Sequence, residues 1–206
     1  MSTGLRLLFA CFVAASFARG AEPRTIIFFG DSLTAGYGLA DPTSEAFPAL
    51  IQKKIDGAGL DWRTVNAGLS GETTSGGLRR VDWILRQSVD IFVLALGGND
   101  GLRGIDPAVS RRNLEQILER VRARNPGVKL VLAGMQMPRE MGPEFTRAFQ
   151  QMYPEVAKKS DAVLIPFLLE GVGGRSELNQ ADRIHPTADG HAVIAEIVWK
   201  VLRPLL

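Results

Sequence analysis

The sequence predicts an α/β domain: a parallel sheet of about five strands covered by helices on both faces. Short apolar runs alternate with helically patterned stretches through the whole chain, which is the signature of consecutive βα units. The apolar runs are continuous rather than alternating, as in strands buried on both faces. The unusual polar motifs follow the ends of those runs, where open parallel sheets bind their ligands.

Thr25 to Phe29 reads as the first strand and stops at Gly30. Phe47, Leu50, Ile51 and Ile55 then share one helical face. Trp62 to Val65 is a second strand, and the glycine-rich stretch from Asn66 to Gly77 reads as a loop. Leu78, Val81 and Leu85 mark the next helix, and Ile91 to Leu96 is the clearest central strand, ending at Gly97-Gly98. Asp106 caps and Pro107 opens a helix whose buried stripe is Leu114, Ile117, Leu118 and Val121, and Asn125-Pro126-Gly127 closes it. Val128 to Ala133 is the fourth strand. Phe145, Phe149, Met152 and Val156 are helically spaced, although Pro154 is expected to kink or interrupt them. Ala162 to Ile165 supplies a short fifth strand. Thr187 then caps a final helix with Ile194, Ile197, Val198 and Val201 inward.

Arg6, an apolar run from Leu7 to Phe17 and Ala18-Arg19-Gly20 form a signal peptide for export to the periplasm or beyond, cut after Gly20. The run is too short for a membrane-spanning helix, which needs about 20 apolar residues. Residues 21–206 are then one domain, and with Cys11 removed it holds together by its core without disulfides. Loss of Arg6 and Arg19 brings the 24 basic residues level with the 22 acidic ones, which removes any electrostatic argument for nucleic acid or an anionic membrane.

Gly30-Asp31-Ser32-Leu33 places Ser32 on a strand-to-helix turn, where it is either a nucleophile or a helix cap. A serine nucleophile needs a base, and the chain has two histidines, His185 and His191. In Asp182-Arg183-Ile184-His185-Pro186 the proline keeps His185 out of a helix. Asp182 can therefore orient one imidazole nitrogen while the other faces Ser32; the alternative is a surface loop with an incidental ion pair. His191 falls on the buried stripe of the last helix and reads as a packing residue. Acyl transfer also needs fixed donors for an oxyanion. The N–H groups of Ser32 and Gly71 and the side-chain amide of Asn99 are the candidates, although each glycine cluster taken singly is a plain turn. The segment from Met135 to Met141 is either an adaptable apolar wall or ordinary core. Gly-x-Gly-x-x-Gly and phosphate-loop patterns are absent, as are His-Glu-x-x-His and any cysteine after the signal, so neither a nucleotide cofactor nor a catalytic metal is expected.

Four blocks, Gly30-Asp31-Ser32-Leu33, Ser70-Gly71-Glu72-Thr73, Gly97-Gly98-Asn99-Asp100 and Asp182-Arg183-Ile184-His185-Pro186, resemble the signature blocks of the SGNH (GDSL) hydrolases in order and spacing. Gly36-Tyr37 and Gly101-Leu102-Arg103-Gly104 bring the chain nearest the bacterial periplasmic thioesterase/lysophospholipase/arylesterase group. The resemblance implies a three-layer flavodoxin-like fold, Ser32, Gly71, Asn99 and His185 as the four named residues, and Asp182 completing the triad. It implies hydrolysis of small acyl esters or thioesters without a cofactor. Gly171-Val172-Gly173-Gly174-Arg175 departs from the more aromatic segment expected there. The alternatives are a carbohydrate O-acetylesterase on the same fold and a non-catalytic flavodoxin-like binding protein.

Overall fold

Five apolar segments form the strands: β1 Arg24–Gly30, β2 Trp62–Gly68, β3 Ile91–Ala95, β4 Lys129–Ala133 and β5 Val163–Ile165. The structure, a computed structural model, describes residues 23–206, so the expected signal peptide and Cys11 lie outside the described residues. Helices α1 Ser32–Ala35, α2 Pro42–Glu45 and α3 Phe47–Gly57 follow β1, and α4 Thr74–Ile84 follows β2. Helices α5 Gly98–Leu102 and α6 Pro107–Arg124 follow β3, α7 Pro143–Lys159 follows β4, and α8 Ala188–Leu202 ends the chain. Among the described residues no helix is long and apolar enough to cross a membrane.

The strands pair in the order β2-β1-β3-β4-β5, all parallel. Crossovers between parallel strands are right-handed. The step from β1 out to β2 and the later steps in the opposite direction must therefore put their helices on opposite faces. That is observed: α3 packs with α8, whereas α4, α6 and α7 pack in series on the other side. Neighbouring residues of β1 serve both layers. Phe28 meets Phe47 of α3 edge to face at 5.5 Å, and Phe29 lies under the Arg80 guanidinium of α4 at 4.1 Å. Gly30 aligns with Gly68 on one side and Ala95 on the other, so the loops after β1, β2 and β3 leave from one edge. The direction of the sheet order reverses between β1 and β3, and the crevice beyond their carboxyl ends is where such a sheet binds ligand.

Helix α6 forms as its sequence dictates. Asp106 accepts from the Ala108 N–H at 2.8 Å, Pro107 occupies the first turn, and Arg122 and Arg124 sit at the negative end of the dipole. Leu114, Ile117, Leu118 and Val121 are fully buried, each contributing about 1.5–3 kcal/mol.

The structure corrects the sequence reading in four places. Asn66, Ala67 and Gly68 continue β2 rather than open a loop, since they pair with Phe28, Phe29 and Gly30; Asn66 also donates its side-chain N–H to Thr34 O at 2.8 Å, tying down α1. Helix α4 begins at Thr74, inside the expected loop. Its Gly77 is required because a Cβ there would run into Leu96 and Phe29, so tertiary packing overrides the poor helix propensity of glycine. Helix α7 runs through Pro154 without interruption. Pro154 and Gln150, whose carbonyl loses its partner, are both on the exposed side, where water satisfies the carbonyl. The short helices α2 and α5 were not foreseen, and the helix expected after the Ser32 turn, α1, is a single turn of four residues.

Candidate active site

Ser32 stands immediately after β1, in the first turn of α1. Asp31, not Ser32, is the cap: its Oδ1 accepts the Leu33 N–H at 3.0 Å. The Ser32 hydroxyl is thereby left for His185, whose Nε2 lies 2.9 Å from Oγ. On the other side of the ring His185 Nδ1 is 2.7 Å from Asp182 Oδ2. A carboxylate at Nδ1 fixes the proton there and leaves Nε2 to accept from the serine.

Asp182 is itself held. Its Oδ1 accepts from the Ile184 N–H at 2.9 Å and the His185 N–H at 3.0 Å. The His185 backbone N–H, then the His185 ring, then the Ile184 N–H hold this carboxyl well below the usual carboxylate range. The turn is braced from outside. Gln180 accepts nothing from the ring but donates its side-chain N–H to Tyr37 O at 2.8 Å and to Pro186 O at 3.0 Å, and the Tyr37 ring lies 4.6 Å from that of His185.

Asn99 enters from α5. Gly97 before it has φ +113, in the left-handed half that glycine tolerates, and a Cβ there would strike the Tyr153 hydroxyl. The Asn99 Nδ2 donates to Glu72 O at 3.0 Å and lies 3.5 Å from Asp31 Oδ2. Behind it, fully buried Asp100 accepts from the Thr74 N–H at 2.8 Å, from the Thr74 hydroxyl and from the Ser110 hydroxyl at 2.9 Å. These bonds clamp α5 to α4 and α6. Burial pushes the Asp31 carboxyl up to about 6.

Gly71 is exposed at the edge of the site, and its carbonyl accepts from Arg103 Nη2 at 3.1 Å. Among the described residues, the N–H groups of Ser32 and Gly71 donate to no protein acceptor. The structure thus brings Ser32, His185, Asp182 and Asn99 together, with Gly71 next to the residue whose carbonyl Asn99 engages. His191 lies elsewhere, buried against Phe47 of α3.

A cavity of about 310 Å³ opens at Ser32, Asn99 and His185. Its wall is apolar: Leu33, Leu102, Met135, Met137 and Leu169 line it. Met135 and Met137 therefore face the site, and Met137 also packs on Gly101. A larger groove of about 620 Å³ beside α3 holds Lys53, Gln52 and Asn66 but neither Ser32 nor His185.

Residues 28–193 match the GDSL-like lipase/acylhydrolase family. The chain belongs to this family. It is 41% identical over 201 residues to esterase TesA of Pseudomonas aeruginosa, covering 97% of this chain and 98% of that one. It is 38% identical over 193 residues to thioesterase 1/protease 1/lysophospholipase L1 of Escherichia coli K12, covering 91% and 88%. The crystal structure of TesA superposes with a TM-score of 0.84 at 42% identity, covering 89% of this chain and 100% of that one. This GDSL hydrolase is accordingly an α/β acyl ester hydrolase.

Sequence reasoning about the hydrolase missed Asp31, Tyr37 and Gln180. Asp31 was legible as an acceptor two residues before an N–H of a helix start; the other two were not, because the Tyr37–Gln180 bond spans 143 residues. The carboxylate and hydroxyls behind Asn99 carried no local signal either.

Proposed function

We propose that this hydrolase cleaves small acyl esters and thioesters, lysophospholipids among them, with Ser32 as nucleophile, His185 as general base and Asp182 as the group that orients His185. The observation that carries the reading is the unbroken relay from Asp182 through His185 to Ser32 at the mouth of an apolar cavity. Ser32 Oγ attacks the acyl carbon as its proton passes to His185 Nε2. The carbonyl oxygen becomes an oxyanion received by the Ser32 and Gly71 N–H groups and the Asn99 amide. As the C–O or C–S bond breaks, His185 returns the proton to the departing alcohol or thiol, and an acyl-serine remains. Water, deprotonated by the same imidazole, then releases the acid. Every transfer uses protein groups, so activity on p-nitrophenyl esters is expected to survive excess chelator.

The Leu, Met and Ile lining suits an acyl chain better than a sugar, which favours this reading over a carbohydrate O-acetylesterase. Labelling with a fluorophosphonate followed by peptide mass spectrometry tests the nucleophile. One equivalent should attach at Ser32, and Ser32→Ala should take up none and lose turnover while melting at the wild-type temperature. Labelling of another serine, or turnover by Ser32→Ala, overturns the assignment. Export, inferred from residues 1–20, predicts that protein recovered from outside the cytoplasm begins at Ala21.

A further inference from the structure

The turn that carries Asp182 and His185 sets an arginine in a strained conformation. Arg183 has φ +61, in the left-handed region that an L residue rarely adopts. Among the described residues Asp161 is the other non-glycine residue with a positive φ. The Arg183 N–H bonds to Gln180 O at 2.9 Å, which holds the backbone there. Arg183 lines the catalytic cavity and also a second hollow of about 260 Å³, whose other walls are Gly174, Arg175, Ser176 and Asn179. Asn179 and Arg183 belong to both, so the two spaces adjoin.

The Arg183 guanidinium is exposed and makes no ion pair or side-chain hydrogen bond within the described residues. Its neighbour Asp182 is occupied by His185. Across the hollow, Arg175 is held in place by Glu177 through Nε at 2.9 Å and Nη2 at 2.8 Å. Buried Asn179 anchors this wall by donating to Val172 O and Arg175 O, both at 2.7 Å. The apolar side of the catalytic cavity is suited to the acyl chain. The leaving group must depart beside His185, which protonates it, and Arg183 is two residues from that imidazole. A guanidinium without a partner, set on the leaving-group side, matches a phosphate oxygen pair.

We propose that Arg183, with Arg175 and Ser176 opposite, forms an anion subsite that receives a phosphate carried by the leaving alcohol or thiol. The proposal rests on the Ser32 reading given above. The phosphate has two chemical sources, the phosphodiester of a glycerophospho alcohol and the phosphates of a coenzyme A thiol.

The test compares kcat/KM for three substrates of equal acyl chain: a neutral p-nitrophenyl ester, an acyl-CoA and a 1-acyl glycerophosphocholine. Arg183→Gly is the first variant because glycine keeps the φ +61 backbone without strain, and Arg183→Lys retains charge without the fork. For Arg183→Gly the ratio of kcat/KM on a phosphate-bearing substrate to that on the p-nitrophenyl ester should fall about tenfold, through KM, with Arg183→Lys intermediate. A fall for one phosphate-bearing substrate names the source, and a fall for both shows that the phosphate itself is read. Arg175→Ala should move the same ratio in the same direction. Unchanged ratios, with all three substrates losing equally or not at all, overturn the subsite. Failure of the Ser32 reading would show separately, as turnover of the p-nitrophenyl ester by Ser32→Ala.

Discussion

Both hydrogens of the Asn99 amide face a protein acceptor in this structure, Glu72 O at 3.0 Å and Asp31 Oδ2 at 3.5 Å. The longer contact is at the limit of a hydrogen bond and, in the proposed mechanism, is the one that a tetrahedral oxygen replaces. The ground-state carbonyl carries less charge than that oxygen, so Asn99→Ala should lower kcat by about 10²-fold to 10³-fold and alter KM far less. Steady-state kinetics beside thermal melts check this; a variant with wild-type kcat removes Asn99 from the oxyanion site. That Ser32, His185 and Asp182 meet in space was legible at this scale because a hydroxyl after a strand and an Asp-x-x-His-Pro turn each restrict the local geometry. The sequence left open whether Ser32 caps the helix. Ser32 and Asp31 are both good caps, and in the structure the Asp31 carboxylate takes the Leu33 N–H.

The α3–α8 contact has a titratable group at its centre. His191 of α8 is 1% exposed, accepts the Phe47 N–H on Nδ1 at 3.3 Å, and is lowered to about 4 by burial and, secondarily, by the charge of His185. The folded chain thus keeps His191 neutral while the unfolded chain protonates it near pH 6.5. Its contribution is complete above pH 6.5 and is lost as pH falls through 4, about 3 kcal/mol in all. Asp31 acts with the opposite sign: its raised value makes a contribution that is present below pH 3.8 and is lost as pH rises through 6. The two oppose each other between pH 4 and 6. His191→Gln, whose amide oxygen can still accept from Phe47, should therefore become more stable relative to wild type on going from pH 7 to pH 4.5. Urea unfolding at the two values measures this, and a variant with wild-type pH dependence would show that His191 does not set it. Elements were legible where a stripe or run was long, as in α6 and β3. They were hidden where glycine or proline stood on a helix for packing or solvent reasons, as Gly77 and Pro154 do, or where four or five residues gave no periodicity, as in α2 and α5.

Across the molecule, the fold class was legible because apolar runs alternate with amphipathic helices; β2 is the weakest of those runs, with Arg63, Thr64 and Asn66 in it. The strand order was not written in any one segment; it is set by the pairing, in which β1 lies between β2 and β3. Phe92 lies fully buried in β3 beside Phe29, 5.5 Å between ring centroids, so Phe92→Ala should cost about 3–5 kcal/mol while the KM of the folded fraction stays at the wild-type value. A large change in KM would show that the sheet does not hold the site rigidly. That sheet also joins Ser32 from its first loop to His185 from its last, 153 residues later. A ribosome adding about 5–20 residues per second needs roughly 8–30 s to cover that interval. In the proposed mechanism the emerging chain carries its serine and lacks its base throughout that interval. In that mechanism, the order in which the chain is read therefore sets when activity can begin.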